Sequence, residues 1–215
     1  AGIDFVIMRC GSTNKGKDPM FEMYYNECKR LGLDVGAYFY SYALDAAGAV
    51  SDANKCLSYI EGKQFEYPIY MDYEDPTQET LSNAKATEIC TAFLDTVAAG
   101  GYLTGVYTYK SWFERGWIDS SGIRSKYEGW VTYPIKSQNH SNYDVEFSKS
   151  YGMYQYTFEY VIANAGTFDA NVCYKDYPTI VKTYGFNNYA ASSTPNLSAS
   201  WVQDDNGLRY QYSDG

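Results

Sequence analysis

The sequence has little of what several function classes require. It contains a single histidine, His140, and no C-x-x-C pair among its five cysteines, so a structural zinc site is not expected. No stretch approaches the roughly 18 apolar residues of a membrane helix. Lys and Arg number 17 against 26 Asp and Glu, a formal charge of -9. Nucleic acids and anionic membrane surfaces are therefore disfavoured as partners.

Two common catalytic signatures are also missing. There is no G-x-S-x-G, which argues against a serine hydrolase. Residues 10–17 (CGSTNKGK) lack the G-x-x-x-x-G-K-[ST] spacing of a phosphate loop and are interpreted as an ordinary loop. His140 lies in a polar segment and is interpreted as a solvated loop histidine, with nothing to support a thiol dyad with Cys10. Most of the widely spaced cysteines are expected to be reduced and buried, although one disulfide stays compatible with their number.

Tyrosine, by contrast, is abundant, with 25 copies in 215 residues. Its side chain combines a flat apolar ring with a hydroxyl group. That combination suits sugars, which have apolar faces and hydroxyl edges. The composition alone leaves two interpretations open, because the rings could equally fill the core.

Short apolar segments alternate with segments of helical spacing along the chain. Strands are predicted at residues 3–8, 35–40, 67–72, 103–107, 130–133 and 153–157. Helices are predicted at 21–31, 45–60 and 80–99, with a helical turn at 112–117. This alternation is typical of βαβ units and a parallel sheet. A β/α barrel with a partly degenerate second half accounts for it, and a doubly wound open sheet is the alternative.

The sharpest chemical feature lies in residues 70–76 (YMDYEDP). Because residues i and i+2 of a strand point to the same side, Asp72 and Glu74 are expected to face one way. Neighbouring carboxylates raise one pKa, which yields one protonated acid and one ionised partner. Pro76 is expected to end the strand just after them, at the end where β/α barrels carry active sites. The alternative is an acidic strand end that is solvated or paired with Arg9.

Aromatic residues gather near the predicted ends of other strands. They are Tyr38, Tyr40, Tyr107, Tyr109, Trp130, Tyr133, Tyr154 and Tyr156. Rings around a carboxylate pair would form a sugar-binding cleft, but core packing also explains them, since strand alternation points about half of them inward. Asp169, in a segment with Asn171, could add a carboxylate near a strand end. A turn is the favoured interpretation there, because Asp and Asn are common in turns.

Seven blocks, in order, resemble glycoside hydrolase family 25, the lysozymes of the Chalaropsis and bacteriophage-endolysin type. The blocks are residues 2–11 (GIDFVIMRCG), 35–41 (VGAYFYS), 67–74 (YPIYMDYE), 105–107 (GVY), 130–131 (WV), 153–157 (MYQYT) and 169–171 (DAN). The resemblance as a whole runs from about residue 2 to residue 180, which is most of the chain. The common order of the blocks, more than any single block, carries the resemblance.

The resemblance implies an α/β fold, a flattened, irregular (β/α) TIM-like barrel, and an N-acetylmuramidase. Such an enzyme cuts the β-1,4 bond between N-acetylmuramic acid and N-acetylglucosamine. Glu74 matches the family's general acid, Asp72 the carboxylate that assists the substrate's acetamido group, and Asp169 a further acidic residue. The residues expected to line the sugar subsites are Tyr38, Tyr40, Tyr107, Trp130, Gln155 and Tyr156. The resemblance implies no metal and no cofactor.

The sequence departs from the family pattern in two places. The family opens with a strand resembling D-V-S-x-x-Q-G upstream of the first block, and its Asp points into the site. Asp4 cannot replace that residue, because it lies at the other end of its strand. We therefore expect a barrel without its first strand and with unpaired edges, from a truncated chain or one whose gap another segment fills. No signal peptide is visible, so the start is expected to be a processed or truncated terminus. The second departure is Tyr154, where the family has Trp.

The end of the chain has a different character. Residues 185–200 are small, polar and aperiodic, which is typical of a linker. Residues 201–215 (WVQDDNGLRYQYSDG) have the pattern of a short hairpin and resemble one choline-binding cell-wall repeat, although Leu208 and Arg209 weaken its aromatic cage. The expected division is a catalytic barrel at 1–184, a linker at 185–200 and a partial cell-wall-binding repeat at 201–215.

Two alternatives to a muramidase stay open. One is a catalytically impaired barrel that binds glycan without cutting it. The other is a chitinase-like glycosidase, which is disfavoured because that family's D-G-x-D is absent before Asp72. The expected partner is the glycan strand of bacterial peptidoglycan, without nucleic acid or membrane insertion, and the expected location is secreted or at the cell wall. A monomer is expected, with a strand-exchange dimer as the alternative.

Overall fold

The chain forms a curled sheet of eight strands, a half-barrel, with helices packed on its outer face. The computed structural model describes residues 2–114, 118, 120–133, 151–192, 200–204 and 207–211. The strands of the sheet are β1 (Phe5–Ser12), β2 (Gly16–Lys17), β3 (Asp34–Tyr40), β4 (Ile69–Asp72), β5 (Thr104–Tyr109), β6 (Glu128–Thr132), β7 (Met153–Ile162) and β8 (Gly166–Cys173). The helices are α1 (Phe21–Arg30), α2 (Ala46–Ile60), α3 (Asn83–Ala99), α4 (Lys110–Glu114), α5 (Ser120–Lys126) and α6 (Tyr177–Tyr184), and a 3-10 helix spans Pro76–Thr80.

The strand order confirms the predicted fold class. Six neighbouring strands, β1-β3-β4-β5-β6-β7, run parallel, and β2 and β8 add antiparallel at the two ends of the sheet. Helices lie in the connections between the first five parallel strands, which is the β/α pattern. The prediction of a flattened, partial TIM-like barrel is confirmed, and a doubly wound open sheet does not form.

Alternation along the strands creates two separate apolar clusters. On the outer face, Val35, Ala37 and Phe39 of β3 are fully buried in the core that α2 and α3 cover. The concave face has a mainly aromatic floor, made by Tyr70, Tyr107, Trp130 and Met153 with Phe5, Ile7 and Tyr38 beside them. Because successive strand residues point to opposite faces, the same strands supply the core for the helices and the floor of the concavity.

Side-chain caps fix where the helices begin. Asp45 accepts a hydrogen bond from the backbone N–H of Gly48 (2.7 Å) and starts α2. Ser82 accepts one from Lys85 (3.3 Å) and starts α3. The predicted helix at 80–99 therefore begins three residues later than expected, because a capped 3-10 helix precedes it.

A polar cluster lies where the parallel strands begin. Glu128, the first residue of β6, accepts hydrogen bonds from the ammonium of Lys175 (2.7 and 3.0 Å) and the hydroxyl of Tyr177 (2.7 Å). A Cβ atom on Gly152 would lie 1.7 Å from that hydroxyl. Only glycine therefore lets Tyr177 reach Glu128.

The segment after α6 is anchored at the same end of the half-barrel. Asn187 is fully buried, with a φ of 54°. Its Nδ2 donates to the carbonyls of Phe65 (2.9 Å) and Tyr67 (3.0 Å), and its Oδ1 accepts from the N–H of Leu103 (2.8 Å). The predicted linker thus has an ordered start, while the division into domains stays a prediction.

Several elements differ from the sequence predictions. Residues 10–17, predicted as a loop, are the end of β1 and the short return strand β2. Strand β8 and helices α5 and α6 were not predicted. The helical turn predicted at 112–117 is α4 at Lys110–Glu114, and Trp117 lies outside the described residues.

At the end of the chain, β9 (Ser200–Asp204) and β10 (Gly207–Gln211) pair antiparallel, so the predicted hairpin is confirmed. Its likeness to a cell-wall repeat stays a prediction. Within the described part of the chain, β1 pairs on its outer side with β2 alone, through Gly11 and Ser12. No helix in the ranges given above is long and apolar enough to cross a membrane.

Candidate active site

A groove of about 760 Å³ runs across the concave face, between β1 at one edge of the sheet and β8 at the other. Its lining includes eight of the nine residues that the sequence analysis proposed for the site. They are Tyr38, Asp72, Glu74, Tyr107, Trp130, Gln155, Tyr156 and Asp169. Because parallel strands place their carboxyl ends at one edge, side chains far apart in sequence meet there.

Asp72 is the last residue of β4 and is almost fully buried, at 4% exposure. It pairs in register with Tyr40 of β3 and Tyr107 of β5. Its Oδ1 has no hydrogen-bond partner among the described residues. Burial raises the pKa of Asp72 well above its usual range, the charge of Glu74 adds to that rise, and the charge of Arg9 opposes it.

Glu74 lies two residues beyond β4 and is half-buried. The strand therefore ends at Asp72, earlier than the sequence suggested, yet both carboxylates line the groove. Burial raises the pKa of Glu74, a hydrogen bond from Tyr109 opposes the rise, and the nearby charges of Asp169 and Asp75 add to it.

The two carboxyl groups form a pair with the properties of an acid and its partner. Burial disfavours ionisation of both groups, and the charge of Glu74 adds to this effect on Asp72, so both pKa values are raised. Asp72 lies deeper, and Glu74 lies nearer to solvent. The arrangement can therefore hold one proton donor at the groove surface above a second, buried carboxyl.

Asp169 lies on β8, in a strand that is antiparallel to β7. The favoured interpretation of this segment as a turn is wrong, because seven residues of β8 pair with β7, and Asp169 lies at a register shift between the paired residues Phe168 and Ala170. The side chain of Asp169 is exposed to solvent, although partial burial raises its pKa. Its position brings a third carboxyl group to the groove.

Hydrogen bonds and ring contacts fix the aromatic floor. The hydroxyl of Tyr107 donates to Oε1 of Gln155 (2.7 Å), and its ring centroid lies 4.5 Å from that of Trp130. The indole N–H of Trp130 donates to Oδ1 of Asn171 (2.9 Å). Tyr38 contacts Trp130 edge to face, at 6.2 Å. These hydrogen bonds of Tyr107 and Trp130 hold their rings in place near the carboxylates.

Tyr40 is the proposed site residue that does not line the groove. It is half-buried at the end of β3, and its ring packs 4.9 Å from that of Tyr42. Burial and the charges of Glu74 and Asp72 raise the pKa of its phenol. Tyr40 therefore lies close to the carboxylates at the end of β3, on the same face of the strand as Tyr38 but beyond the lining of the groove.

Two residues that the sequence analysis noted without assigning them to the site support it. Tyr109 hydrogen-bonds to the Glu74 carboxyl, and Asn171 holds the Trp130 indole. Tyr109 had a signal, because it follows Tyr107 by two positions and so faces the same way on β5. Asn171 had none beyond its place in β8, which was not predicted.

The alternative in which Arg9 pairs with the acidic strand end is wrong, because Arg9 pairs with a different residue. Its guanidinium binds Asp18 through Nε (2.9 Å) and Nη2 (2.6 Å). Its charge still acts on Asp72 through space. His140, interpreted as a loop histidine, lies outside the described residues.

One family model matches most of the chain, and several solved structures share its fold. The family model described as glycosyl hydrolases family 25 matches residues 1–165. A search of curated proteins gave no match. The modular autolysin LytC of Streptococcus pneumoniae is 25% identical, with a TM-score of 0.64, over 80% of this chain and 41% of that one. LytC has also been solved in complex with a synthetic peptidoglycan ligand.

Two further structures share the fold. The spore cortex lytic enzyme SleM of Clostridium perfringens is 21% identical, with a TM-score of 0.66, over 78% of this chain and 59% of that one. A bacterial lysozyme from Streptomyces coelicolor is 20% identical, with a TM-score of 0.65, over 81% of this chain and 82% of that one. The chain thus spans less than two thirds of LytC and of SleM.

Proposed function

Because the chain belongs to glycosyl hydrolases family 25, we propose that it is an N-acetylmuramidase. It hydrolyses the β-1,4 bond between N-acetylmuramic acid and N-acetylglucosamine in bacterial peptidoglycan. The observation that carries the proposal is the buried Oδ1 of Asp72, which has no hydrogen-bond partner in the described part of the chain and lies beside Glu74 in an aromatic-lined groove. Leaving a buried polar atom unpaired costs free energy, which a substrate N–H would recover.

The position of each carboxyl group supports a separate role. Glu74, nearer to solvent, donates its proton to the glycosidic oxygen as the bond from that oxygen to the anomeric carbon breaks. Asp72, below it, accepts a hydrogen bond from the acetamido N–H while the acetamido oxygen bonds to the anomeric carbon. Water then adds to that carbon, the acetamido oxygen leaves, and Glu74 takes the proton of the water. Two displacements at one carbon retain its configuration.

The rest of the groove supports binding of a glycan strand. Tyr38, Tyr107 and Trp130 offer apolar ring faces, which pack against the C–H faces of sugars. Gln155, Tyr156 and Asp169 present polar groups from β7 and β8. Tyr40 lies near the two carboxyl groups and would act on their charge. Peptidoglycan as the partner places the activity at the bacterial cell wall, outside the cell, and the peptidoglycan-ligand complex of LytC supports this assignment.

A digest of purified Gram-positive peptidoglycan tests the proposal. The products are reduced with borohydride and identified by mass spectrometry. We expect muropeptides that end in reduced N-acetylmuramic acid from the unaltered chain, and a loss of at least about 100-fold in their rate of release with Glu74→Gln. Termini of reduced N-acetylglucosamine would assign a different bond and contradict the proposal.

Glu79→Gln is the matched control, since Glu79 is exposed on the adjacent 3-10 helix and loses the same charge. It should keep full activity. Circular dichroism of all three proteins establishes that each is folded. A folded, unaltered chain that binds peptidoglycan and releases no reducing ends would be a glycan-binding barrel instead.

A further inference from the structure

Two of the five cysteines meet in the core behind the groove. Cys10 of β1 and Cys56 of α2 lie with their sulfur atoms 3.7 Å apart, and both side chains are fully buried. That separation is direct contact between the two thiols. They are 46 positions apart in sequence, so the contact is a product of the fold.

We propose that Cys10 and Cys56 are the site of an intramolecular disulfide that fastens β1 to α2. A disulfide needs its sulfur atoms at about 2.05 Å, so the thiols must approach each other by about 1.6 Å. The backbone at Cys10 can accommodate this movement, because β1 shifts register against β3 between Arg9 and Gly11. Cys10 is therefore the extra residue of a bulge against β3 and has no partner there, while its carbonyl accepts a hydrogen bond from the N–H of Asp18 (2.9 Å).

The bond would secure a junction that now depends on polar contacts. Asp52, one helical turn before Cys56, accepts hydrogen bonds from the hydroxyls of Thr13 (2.5 Å) and Ser41 (2.9 Å). Thr13 follows β1 and Ser41 follows β3. The disulfide would thus fix α2 against the two strand ends that lead into the groove, and it would close a long loop in the unfolded chain.

The exchange is balanced with a small-molecule disulfide such as oxidised glutathione. One cysteine thiolate attacks it and releases one glutathione, which leaves a mixed disulfide. The second cysteine then attacks the protein-bound sulfur and releases the second glutathione. Two protein thiols are oxidised, one glutathione disulfide is reduced, and the two protons pass to the released thiols.

Because both thiols are buried in the folded chain, this exchange must take place during folding. In the folded chain, the contact with Cys10 and the burial raise the pKa of the Cys56 thiol, which disfavours the reactive thiolate. No solvent reaches either sulfur. The bond is therefore expected to form before β1 and α2 close on each other, and afterwards to resist reducing agents.

Refolding of the full chain with and without oxidised glutathione tests the proposal. After unpaired thiols are blocked with N-ethylmaleimide, trypsin is expected to release residues 10–15 and 56–63 as one linked peptide, since these segments follow Arg9 and Lys55. The thiols titrated in denaturant should fall from five to three. The oxidised protein should melt several degrees higher than the reduced one.

Two variants sharpen the result. Cys56→Ser should abolish the linked peptide, whereas Cys90→Ser, which alters another fully buried cysteine, should leave it unchanged. Five thiols in an oxidatively refolded chain with a native near-ultraviolet circular dichroism spectrum would overturn the proposal. So would a linked peptide that contains Cys28 or Cys173. The count on the unaltered chain is decisive even where a variant does not fold.

Discussion

Asp72 stands in surroundings that disfavour its charge. Its pKa is raised in the folded state, so above the pKa of the unfolded chain, about 3.9, the folded protein holds a proton that the unfolded chain has released. The sign follows from linkage: the free energy of unfolding falls as the pH rises through this window. The site is therefore built at a cost in stability that grows toward neutral pH.

Asp72→Asn is expected to raise the melting temperature at pH 7.5 and to change it little near pH 3.5, where the carboxyl is protonated in both states. Each kcal/mol recovered at pH 7.5 corresponds to about 2–4 °C. Calorimetry at the two pH values checks this. Asp4→Asn, at an exposed aspartate, is the control and should show no such gain. A lower melting temperature of Asp72→Asn at pH 7.5 would contradict the argument.

Tyr109 affects the pKa of the proposed acid, Glu74. Its hydrogen bond lowers the pKa of Glu74 against the larger effect of burial. Tyr109→Phe should therefore raise that pKa further and move the alkaline limb of the activity profile to higher pH. Peptidoglycan hydrolysis measured between pH 4 and 9 tests the shift, with Tyr24→Phe on exposed α1 as the control. A limb that moves to lower pH would show that the hydrogen bond acts in the opposite sense.

The residues that sequence reasoning found and missed have a common explanation. Asp72 and Glu74 share one short segment, so strand periodicity alone brings them together. Asp169 was misinterpreted because the turn preference of its segment is overridden when the neighbouring residues of β8 pair with β7, a contact that no short window of sequence contains. Arg9 finds Asp18 only because β1 folds back into β2.

At the scale of elements, one buried amide joins two loops of the site. The Oε1 of Gln78 accepts from the N–H of Asp75 (3.0 Å), directly after Glu74. Its Nε2 donates to the carbonyls of Ser41 (3.0 Å) and Ala43 (3.2 Å), in the loop that follows β3. Gln78 is 2% exposed, and its oxygen and amide nitrogen are both used. Gln78 thus fixes the start of the 3-10 helix and, through Asp75, the position of Glu74.

Gln78→Glu keeps the shape and removes both donors, and it places a carboxylate against two carbonyl oxygens. We expect kcat to fall by about 10-fold or more with a smaller change in KM, because the acid is displaced while the binding floor stays in place. The melting temperature should also fall. Gln64→Glu, at an exposed amide, serves as the control. If kcat fell equally in Gln64→Glu and in Gln78→Glu, the proposed role of Gln78 would be contradicted.

Helices and strands were predicted more reliably where local signals are strong. Asp45 and Ser82 cap α2 and α3, and the parallel strands β3, β4 and β5 are short apolar runs between such helices. Strand β8 is exposed or half-buried along its whole length, so it lacks the apolar pattern that identifies a strand. It exists because β7 offers an edge to pair with.

For the whole molecule, net charge predicts a salt response. The chain carries a formal charge of -9, and Gram-positive walls carry anionic teichoic acids. Repulsion between them extends about 30 Å at 10 mM salt and about 8 Å at 150 mM. Lysis of intact walls should therefore rise over this range. Walls stripped of teichoic acid should lose the effect, and an unchanged rate on intact walls would contradict it.

The half-barrel as a whole was predicted from the order of its sequence blocks, and its curvature was not. The curl brings β1 and β8 to the two sides of one groove, although no hydrogen bond joins these strands in the sheet order. Such closeness depends on the accumulated twist of all the strands between them. The pattern of apolar and polar residues along the sequence does not indicate how large this accumulated twist is.

The side chain of Asn187 also has a consequence for timing. It bonds to the carbonyls of residues made 122 and 120 positions earlier, Phe65 and Tyr67. A ribosome builds the chain from its amino end, at about 5–20 residues per second. During synthesis, the backbone groups just before β4 and β5 therefore lack their Asn187 partner for several seconds. They gain it only after Asn187 has been synthesised and has left the exit tunnel.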